Sequence, residues 1–404
     1  MYEILSFLDT PDLYACFSTC RGLKHILTYQ SGIWGRNVNL SGNLAKIERR
    51  WKRLYSFLRG KQVHSLSLSM KSPCPVSMWK SSTLRSTFPF STLYSLHYSG
   101  AGNEGGHLDL MVWQDWVSQC KRLKVLHFVN TARQGSLTLE EGTPLTSCRL
   151  AELELENLPY PGVNRQEDAL IRVVSKARRL RLTTYSDAER IRSMVEAAKE
   201  TLEDLEILVL HESGDTVNLE RRIEAVVLSS VQRLSVRWEQ SSIPFVLQAP
   251  QAKKLALHLS QPREDGTFTH DLLQSCASTL TDLAYHSPSP LAAQELDRAL
   301  PTLAVCERLS ISFAHSASVP ALWARLEEQS DKDSRSALLP RLSQLSISGD
   351  RTLRGGEVIR LLRHRQSSDL PSIDELSLSS CTDIHQEAVA RLRKMVPRFS
   401  FSSC

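Results

Sequence analysis

The sequence lacks the features that mark membrane-spanning or secreted chains. No apolar run approaches the length of about 18 residues that a membrane-spanning helix needs, so none is expected. The amino terminus has no basic segment before its apolar stretch, which Glu3 and Asp9 interrupt, so no signal peptide is expected. The 9 cysteines include no Cys-x-x-Cys pair. We therefore expect reduced cysteines and a cytoplasmic or nuclear location.

The charge and the glycine content also give no indication that the chain binds a nucleic acid or the phosphates of a nucleotide. A net charge of +5 over 404 residues is too small to indicate a nucleic-acid partner. The one glycine-rich stretch, at residues 99–106, is followed by neither Lys-Ser/Thr nor a helical pattern, so it does not resemble a phosphate-binding loop. No paired carboxylates occur in a motif. We expect a protein without an active site, a metal or a cofactor.

What the chain does have is a short apolar phrase, close to Leu-x-x-Leu-x-Leu, repeated twelve times. Its central leucines are separated by 21 to 36 residues and are Leu66, Leu96, Leu126, Leu153, Leu180, Leu208, Leu234, Leu255, Leu283, Leu309, Leu345 and Leu376. A fixed phrase with spacers of similar length indicates a stacked repeat array.

Each phrase predicts a strand. In the first phrase Leu66 and Leu68 are two residues apart and therefore face the core, while Ser67 and Ser69 face outward. Apolar residues at helical spacing lie between several phrases, at 168–177, 189–202, 357–364 and 385–396. A strand and a helix in each repeat predict a parallel sheet covered by helices on one side.

The last phrase and the residues after it resemble the cysteine-containing leucine-rich repeat. Leu376-Ser-Leu-Ser-Ser-Cys381-Thr-Asp-Ile384 is followed by apolar residues at 388, 389 and 392. The resemblance implies an α/β leucine-rich-repeat solenoid over residues 61–404, with about 12 irregular repeats, a horseshoe with the parallel sheet inside, and Cys381 buried at a turn. The alternating residues 398–402 suit a closing strand. The alternative is a large α/β enzyme with a parallel sheet.

The first 34 residues differ from the repeats and resemble an F-box. The stretches at 4–13, 19–23 and 33–34 carry the match. The sequence departs from the family pattern in two places. The usual opening Leu-Pro-x-Glu-Ile is absent, so residues 1–40 are expected to be a partial F-box. In addition, Leu23 replaces a tryptophan. The resemblance implies that an all-α module contacts the Skp adaptor through Ile4, Leu5, Leu8, Pro11, Leu13, Cys16, Cys20, Leu23 and Trp34.

Together the two resemblances imply the substrate-recognition subunit of a cullin–RING (SCF) ubiquitin ligase. Its partners would be the Skp adaptor, the cullin scaffold and a protein substrate held on the repeats. Residues 41–60 are amphipathic and are expected to form a linker helix. The alternative is a leucine-rich-repeat interaction scaffold with a vestigial F-box and no ligase role.

Basic residues on the outward side of the predicted sheet are candidates for substrate binding. They could hold an acidic or phosphorylated segment, and they are Arg178, Arg179, Arg181, Arg233, Lys253 and Lys254. The alternative is that they are solvated residues paired with glutamates such as Glu152 and Glu154 in the neighbouring strand.

Two smaller clusters also allow alternatives. His97 and His127 occupy the same place in successive phrases, so they should stand side by side, either as a metal or pH-sensitive contact or as plain exposed strand residues. Cys16 and Cys20 lie four apart on a helix, where helix core is the alternative to a shared metal.

Overall fold

The computed structural model describes a discontinuous set of residues, which form two compact units, residues 1–187 and 188–404. The described residues are 37–58, 62–71, 78, 81–100, 119–130, 150–156, 171, 173–184, 188–209, 225–239, 245–260, 267–287, 296, 298–313, 339–350, 353–368 and 370–402.

In the first unit six strands form a parallel sheet in which neighbours in space are neighbours in sequence. The strands are β1 (Asn37–Gly42), β2 (Ser65–Met70), β3 (Ser95–Gly100), β4 (Val125–Asn130), β5 (Glu152–Glu156) and β6 (Arg179–Thr184). Two helices of this unit are α1 (Leu44–Leu58) and α2 (Thr83–Thr87), and a 3-10 turn follows at Phe90–Thr92.

The second unit repeats this arrangement with eight strands, again parallel and in sequence order. They are β7 (Asp204–Val209), β9 (Arg233–Trp238), β11 (Lys254–Leu259), β12 (Asp282–Ser287), β13 (Arg308–Phe313), β14 (Gln344–Ser348), β15 (Glu375–Ser379) and β16 (Arg398–Ser402). The short strands β8 (Val226–Val227) and β10 (Leu247–Gln248) pair with each other. The helices are α3 (Ala188–Ala198), α4 (Thr267–Cys276), α5 (Gly355–Ser367) and α6 (Gln386–Met395), with a 3-10 turn at Leu300–Thr302.

The alternation of side chains along each strand separates the core from the outward face. In β2, Leu66 and Leu68 are fully buried and pair in register with Leu96 and Tyr98 of β3. The leading apolar residue of each phrase, such as Val63, is buried as well. Each strand therefore contributes its alternate residues to one core, as the sequence predicts, and the predicted α/β leucine-rich-repeat fold is confirmed within each unit.

The predicted helices at 189–202, 357–364 and 385–396 are confirmed as α3, α5 and α6. In α3 the apolar face is buried at Ile191, Met194, Val195 and Ala198. The predicted helix at 168–177 lies largely outside the described residues. Helix α4 was not predicted, although it buries Phe268, Leu272 and Leu273.

The sheet of the first unit begins earlier than residue 61. Strand β1 pairs in parallel with β2, with Val38 opposite Leu66 and Leu40 opposite Leu68. The helix expected within 41–60 is present as α1, and it buries Ile47, Trp51 and Leu54. Residues 37–58 therefore form a strand and a helix of the repeat type.

The sixth phrase was assigned to the wrong residues. In β7 the inward residues are Leu205, Ile207 and Val209, which pair with Leu234, Val236 and Trp238 of β9. Leu208 is opposite Arg237, faces outward and is half-buried. The central leucine of this repeat is Leu205, because the strand begins three residues earlier than the sequence suggested.

The end of the second unit agrees with the sequence. Strand β16 pairs with β15, and its Phe399 and Phe401 are half-buried opposite Leu376 and Leu378. Cys381 lies in the turn after β15, where its side chain is 1% exposed and its thiol donates to the carbonyl of Ser379 at 3.4 Å.

Candidate functional site

The outward side chains form rows that cross the strands, because all strands are parallel and in register. In the second unit the first outward row holds Asp204, Arg233, Lys254, Asp282, Arg308, Gln344, Glu375 and Arg398. The second outward row holds Glu206, Ser235, Ala256, Ala284, Ser310, Ser346, Ser377 and Ser400. The third outward row holds Leu208, Arg237, His258, His286, Ser312, Ser348, Ser379 and Ser402.

The first outward row carries both acidic and basic residues, and several of them pair across neighbouring strands. Arg233 contacts Asp204 at 2.5 Å and Arg308 contacts Asp282 at 3.2 Å. A third pair joins Arg398 to Glu375 at 3.3 Å. The arginine of each pair is largely exposed, so each pair contributes little to stability but fixes the position of long side chains along one side of the face.

In the first unit the histidines predicted to stand side by side do so. The ring centroids of His97 and His127 are 5.7 Å apart, edge to face. Both ring nitrogens of His127 also lie 3.1 Å from carboxylate oxygens, Nε2 from Glu152 and Nδ1 from Glu154. The ring of His127 therefore lies between two acidic side chains of the adjacent strand.

Several of the predicted basic residues lie beside acidic residues of their own unit. Arg179 lies 4.0 Å from Glu152, and Arg181 lies 3.3 Å from Glu154. Arg178 is exposed and precedes β6, while Arg233 pairs with Asp204. The arginines of this set that lie within strands are thus matched by acidic residues, which is the alternative that the sequence left open. Lys253 and Lys254 are exposed and make no ion pair within the described residues.

A second histidine pair, which the sequence analysis missed, lies in the second unit. The rings of His258 and His286 are stacked, with centroids 4.0 Å apart and an interplanar angle of 20°. On the adjacent strand Arg237 stands opposite His258. Arg237 donates from Nε and Nη2 to Oε1 of Glu239, at 3.0 and 2.7 Å. The sequence does carry a signal for this pair, because both histidines directly follow the last apolar residue of consecutive phrases.

This pair is electrostatically unlike the first. Burial, the neighbouring His286 ring and Arg237 lower the pKa of His258 to about 4, while Glu239 opposes them weakly. Burial and Arg237 also lower the pKa of His286. Both rings are therefore neutral at pH 7, and each offers one N–H donor and one acceptor nitrogen.

The residues matched to the F-box, from Ile4 to Trp34, lie outside the described residues, and so do Cys16 and Cys20. Within the described residues no group of three or more His, Cys, Asp or Glu side chains could hold a metal ion. No helix in the described part of the chain is both long enough and apolar enough to cross a membrane.

Within each unit, consecutive apolar phrases form parallel strands in register, which is the architecture of a leucine-rich-repeat solenoid. No protein-family model and no curated protein matches the sequence. Among solved structures, the chain is similar to the leucine-rich-repeat protein TLR13 in the crystal structure of the TLR13–ssRNA13 complex, with 14% identity and a TM-score of 0.44. The match covers 91% of this chain and 53% of TLR13, so the chain spans about half the length of that protein.

Proposed function

We propose that the chain is a protein-interaction scaffold that binds its partner on the outward faces of its sheets. The observation that carries this proposal is that, among the strand residues whose burial the structure describes, every outward side chain except Thr183 is exposed or half-buried. A sheet face that keeps polar and charged side chains accessible offers many donors and acceptors at fixed positions. Parallel repeats commonly use such a surface for binding.

At a finer level, we propose that the scaffold is the substrate-recognition subunit of an SCF ubiquitin ligase. The support is the sequence resemblance of residues 1–34 to an F-box, next to repeats suited to hold a substrate. The chain would then need no active site. Its contribution would be proximity, because it would hold a substrate lysine near a ubiquitin-charged enzyme at high effective concentration.

The Skp adaptor is the partner that tests the finer proposal. Leu8→Asp combined with Leu13→Asp should abolish co-purification of the adaptor with the full chain, because both residues match the apolar positions of the F-box. The same variant should retain the far-ultraviolet circular dichroism of the wild type. Ser67→Asp is a matched control, because it adds the same kind of charge at a half-buried outward position of β2.

Unchanged co-purification in the double variant would refute the adaptor role and leave the interaction scaffold as the function. Loss of the adaptor in the control as well would indicate a general defect rather than a contact.

We also propose that the substrate carries acidic or phosphorylated groups and contacts the exposed basic residues of the outward faces. The set is Arg178, Arg179, Arg181, Arg233, Lys253 and Lys254. Lys253 and Lys254 are the best placed of these, because the strand arginines already contact acidic neighbours. Reversal of both lysines to glutamate should lose proximity-labelled partners more completely than reversal of Arg179 and Arg181. Equal partner sets in wild type and the lysine variant would overturn this assignment.

A further inference from the structure

The cluster of Arg237, His258 and His286 gathers hydrogen-bond donors from three adjacent strands on one accessible face. The strands lie about 4.8 Å apart, and the centroids of the two stacked rings are 4.0 Å apart. The bonds from Arg237 to Glu239 use Nε and Nη2, so Nη1 still offers a donor to a ligand. Among the described residues neither imidazole has a hydrogen-bond partner, although both rings are half-buried.

The charges around the two rings favour an anion over a metal cation. The guanidinium of Arg237 lies on the adjacent strand opposite His258, where it would repel a cation bound to the imidazoles. The one carboxylate of the cluster, Glu239, is already held by that guanidinium. In the first unit the opposite holds, because His127 stands between Glu152 and Glu154.

The neighbouring second outward row leaves room beside the cluster for a polypeptide. Its residues at this point are Ser235, Ala256, Ala284 and Ser310, which are among the shortest side chains. They lie between the long charged side chains of the first outward row and the rings of the third. An extended segment could cross the strands here and direct one side chain at the histidines.

We propose that Arg237, His258 and His286 form the binding site for a phosphate monoester carried by an extended segment of a protein partner, and that binding is coupled to protonation of the histidines. That the partner is a protein rests on the proposed scaffold function. A phosphate monoester matches the site because it has three acceptor oxygens for donors from three strands, whereas a carboxylate has two. Its negative charge also complements an arginine and two rings that can each accept a proton.

The coupling follows from the groups that face the two rings. These are Arg237 and Glu239 on the strand at one side, the uncharged Ser312 on the strand at the other side, and the two rings themselves. Lys254 and Asp282 lie further along the same strands, in the first outward row. A bound anion favours the charged imidazolium, so it raises the pKa of the ring, and this contribution to affinity grows as pH falls through the raised pKa towards the free value of about 4 for His258. The monoester loses its second negative charge below about pH 6, which works against this gain.

Nuclear magnetic resonance of the full chain labelled at histidine Cε1 tests the site. The probe is inorganic phosphate, compared with chloride at equal ionic strength. Without phosphate the His258 resonance should titrate near pH 4. Saturating phosphate should raise that midpoint by at least about one pH unit, which equals a tenfold preference for the protonated ring. The His127 resonance is the internal control and should not respond, because two carboxylates already occupy its nitrogens.

Variants separate binding from folding. The double variant His258→Asn with His286→Asn should remove the phosphate-dependent shift of the midpoint. The resonances that disappear in its spectrum identify these two histidines. Glu239→Gln should strengthen phosphate binding several-fold, because it releases Arg237 from its carboxylate, and a disrupted fold could not produce a gain. Arg237→Gln should weaken binding by a similar factor.

A second arm identifies the source of the phosphate. Phosphoserine peptides selected from a random library should be enriched by the wild-type chain over their unphosphorylated forms, and the double histidine variant should lose this enrichment. Phosphate binding without enrichment would mean an adventitious ion only and would overturn the proposal. So would an unmoved His258 midpoint. In either case unchanged partner capture by the double variant would leave the scaffold function standing.

Discussion

At the scale of single residues, Arg365 of α5 is a charged side chain held in the core, where it is only 2% exposed. Its guanidinium donates to the carbonyl oxygens of Leu339, Pro340, Leu342 and Pro371. Burial lowers the pKa of Arg365 to about 10, so the group remains charged at neutral pH. One side chain thus donates to backbone acceptors before both β14 and β15.

Arg365→Met should lower the free energy of unfolding by at least about 3 kcal/mol, because it removes four hydrogen bonds from a charged donor to buried and part-buried carbonyls. Arg365→Lys should recover only part of this loss, since an ammonium group is a compact donor without the planar fork. Urea denaturation followed by circular dichroism measures both. Arg363→Met, on the exposed side of the same helix, is the control and should cost no more than about 0.5 kcal/mol. Equal midpoints for Arg365→Met and Arg363→Met would contradict this role.

The stability of the second unit should depend on pH through His258. The folded pKa, about 4, lies below the ordinary value of 6.5, so between these values the unfolded chain takes up a proton that the folded chain refuses. Stability should therefore fall as pH falls from 6.5 to 4 and change no further from this group below pH 4. Melting temperatures of the wild type and His258→Asn across this range isolate the effect. A constant difference between the two would show that the ring does not titrate this way.

Three buried cysteines should be chemically inert in the folded chain. Burial raises the pKa of Cys276 and Cys306 to about 12 and that of Cys381 to about 11. Iodoacetamide reacts with the thiolate, so at about pH 8 peptides carrying these residues should stay unmodified until urea is added. Mass spectrometry of the digested chain measures the modified fraction, and native-state labelling of all three would contradict their burial.

At the scale of elements, the sequence predicted eleven of the twelve phrases at the right residues, because leucines spaced for a strand and a constant leading apolar residue leave few alternatives. The sixth failed because Leu205, Leu208 and Leu210 fit the phrase as well as Leu202, Leu205 and Ile207 do. Strand β1 was missed because its leading position, three residues before Val38, is glycine. Both cases are decided by pairing with the neighbouring strands, and this pairing cannot be read from the sequence of one segment.

Strand β7 provides a matched pair of substitutions. Leu205→Asp buries an unpaired charge and should cost about 4 kcal/mol or more. Leu208→Asp, three residues along the same strand, faces outward and should cost no more than about 1 kcal/mol. Denaturation midpoints of the two variants give the comparison. Equal losses would restore the assignment that the sequence suggested. Leu153→Asp in β5 should behave like Leu205→Asp, since Leu153 is 1% exposed.

At the scale of the whole molecule, the candidate site was only partly predictable. Strand alternation correctly predicted that His97 and His127 stand together, since equal offsets within phrases become neighbours in a sheet. The balance of charge was not predicted, because ion pairs such as Arg181 with Glu154 depend on side-chain conformations across strands. The F-box interpretation lies outside the described residues and stays a prediction.

Rows of short side chains on the second unit should tolerate change without loss of fold. Ser346→Lys and Ser377→Lys, which are register neighbours in the second outward row, should together change stability by no more than about 1 kcal/mol, because lysine can extend into solvent. If the partner crosses these strands, proximity labelling should lose it. A large drop in melting temperature would show that this face is packed rather than open.

The in-register alternation along the strands has a consequence for how such a protein can diversify. Core and surface positions follow each other one by one, so a genetic change to every second codon of a strand rewrites the surface and leaves the interior untouched. A library that randomises only Arg237, His258, His286, Ser312 and Ser348 would vary one continuous line across five strands. Such a line could be selected for new ligands in the laboratory while the scaffold beneath it kept its stability.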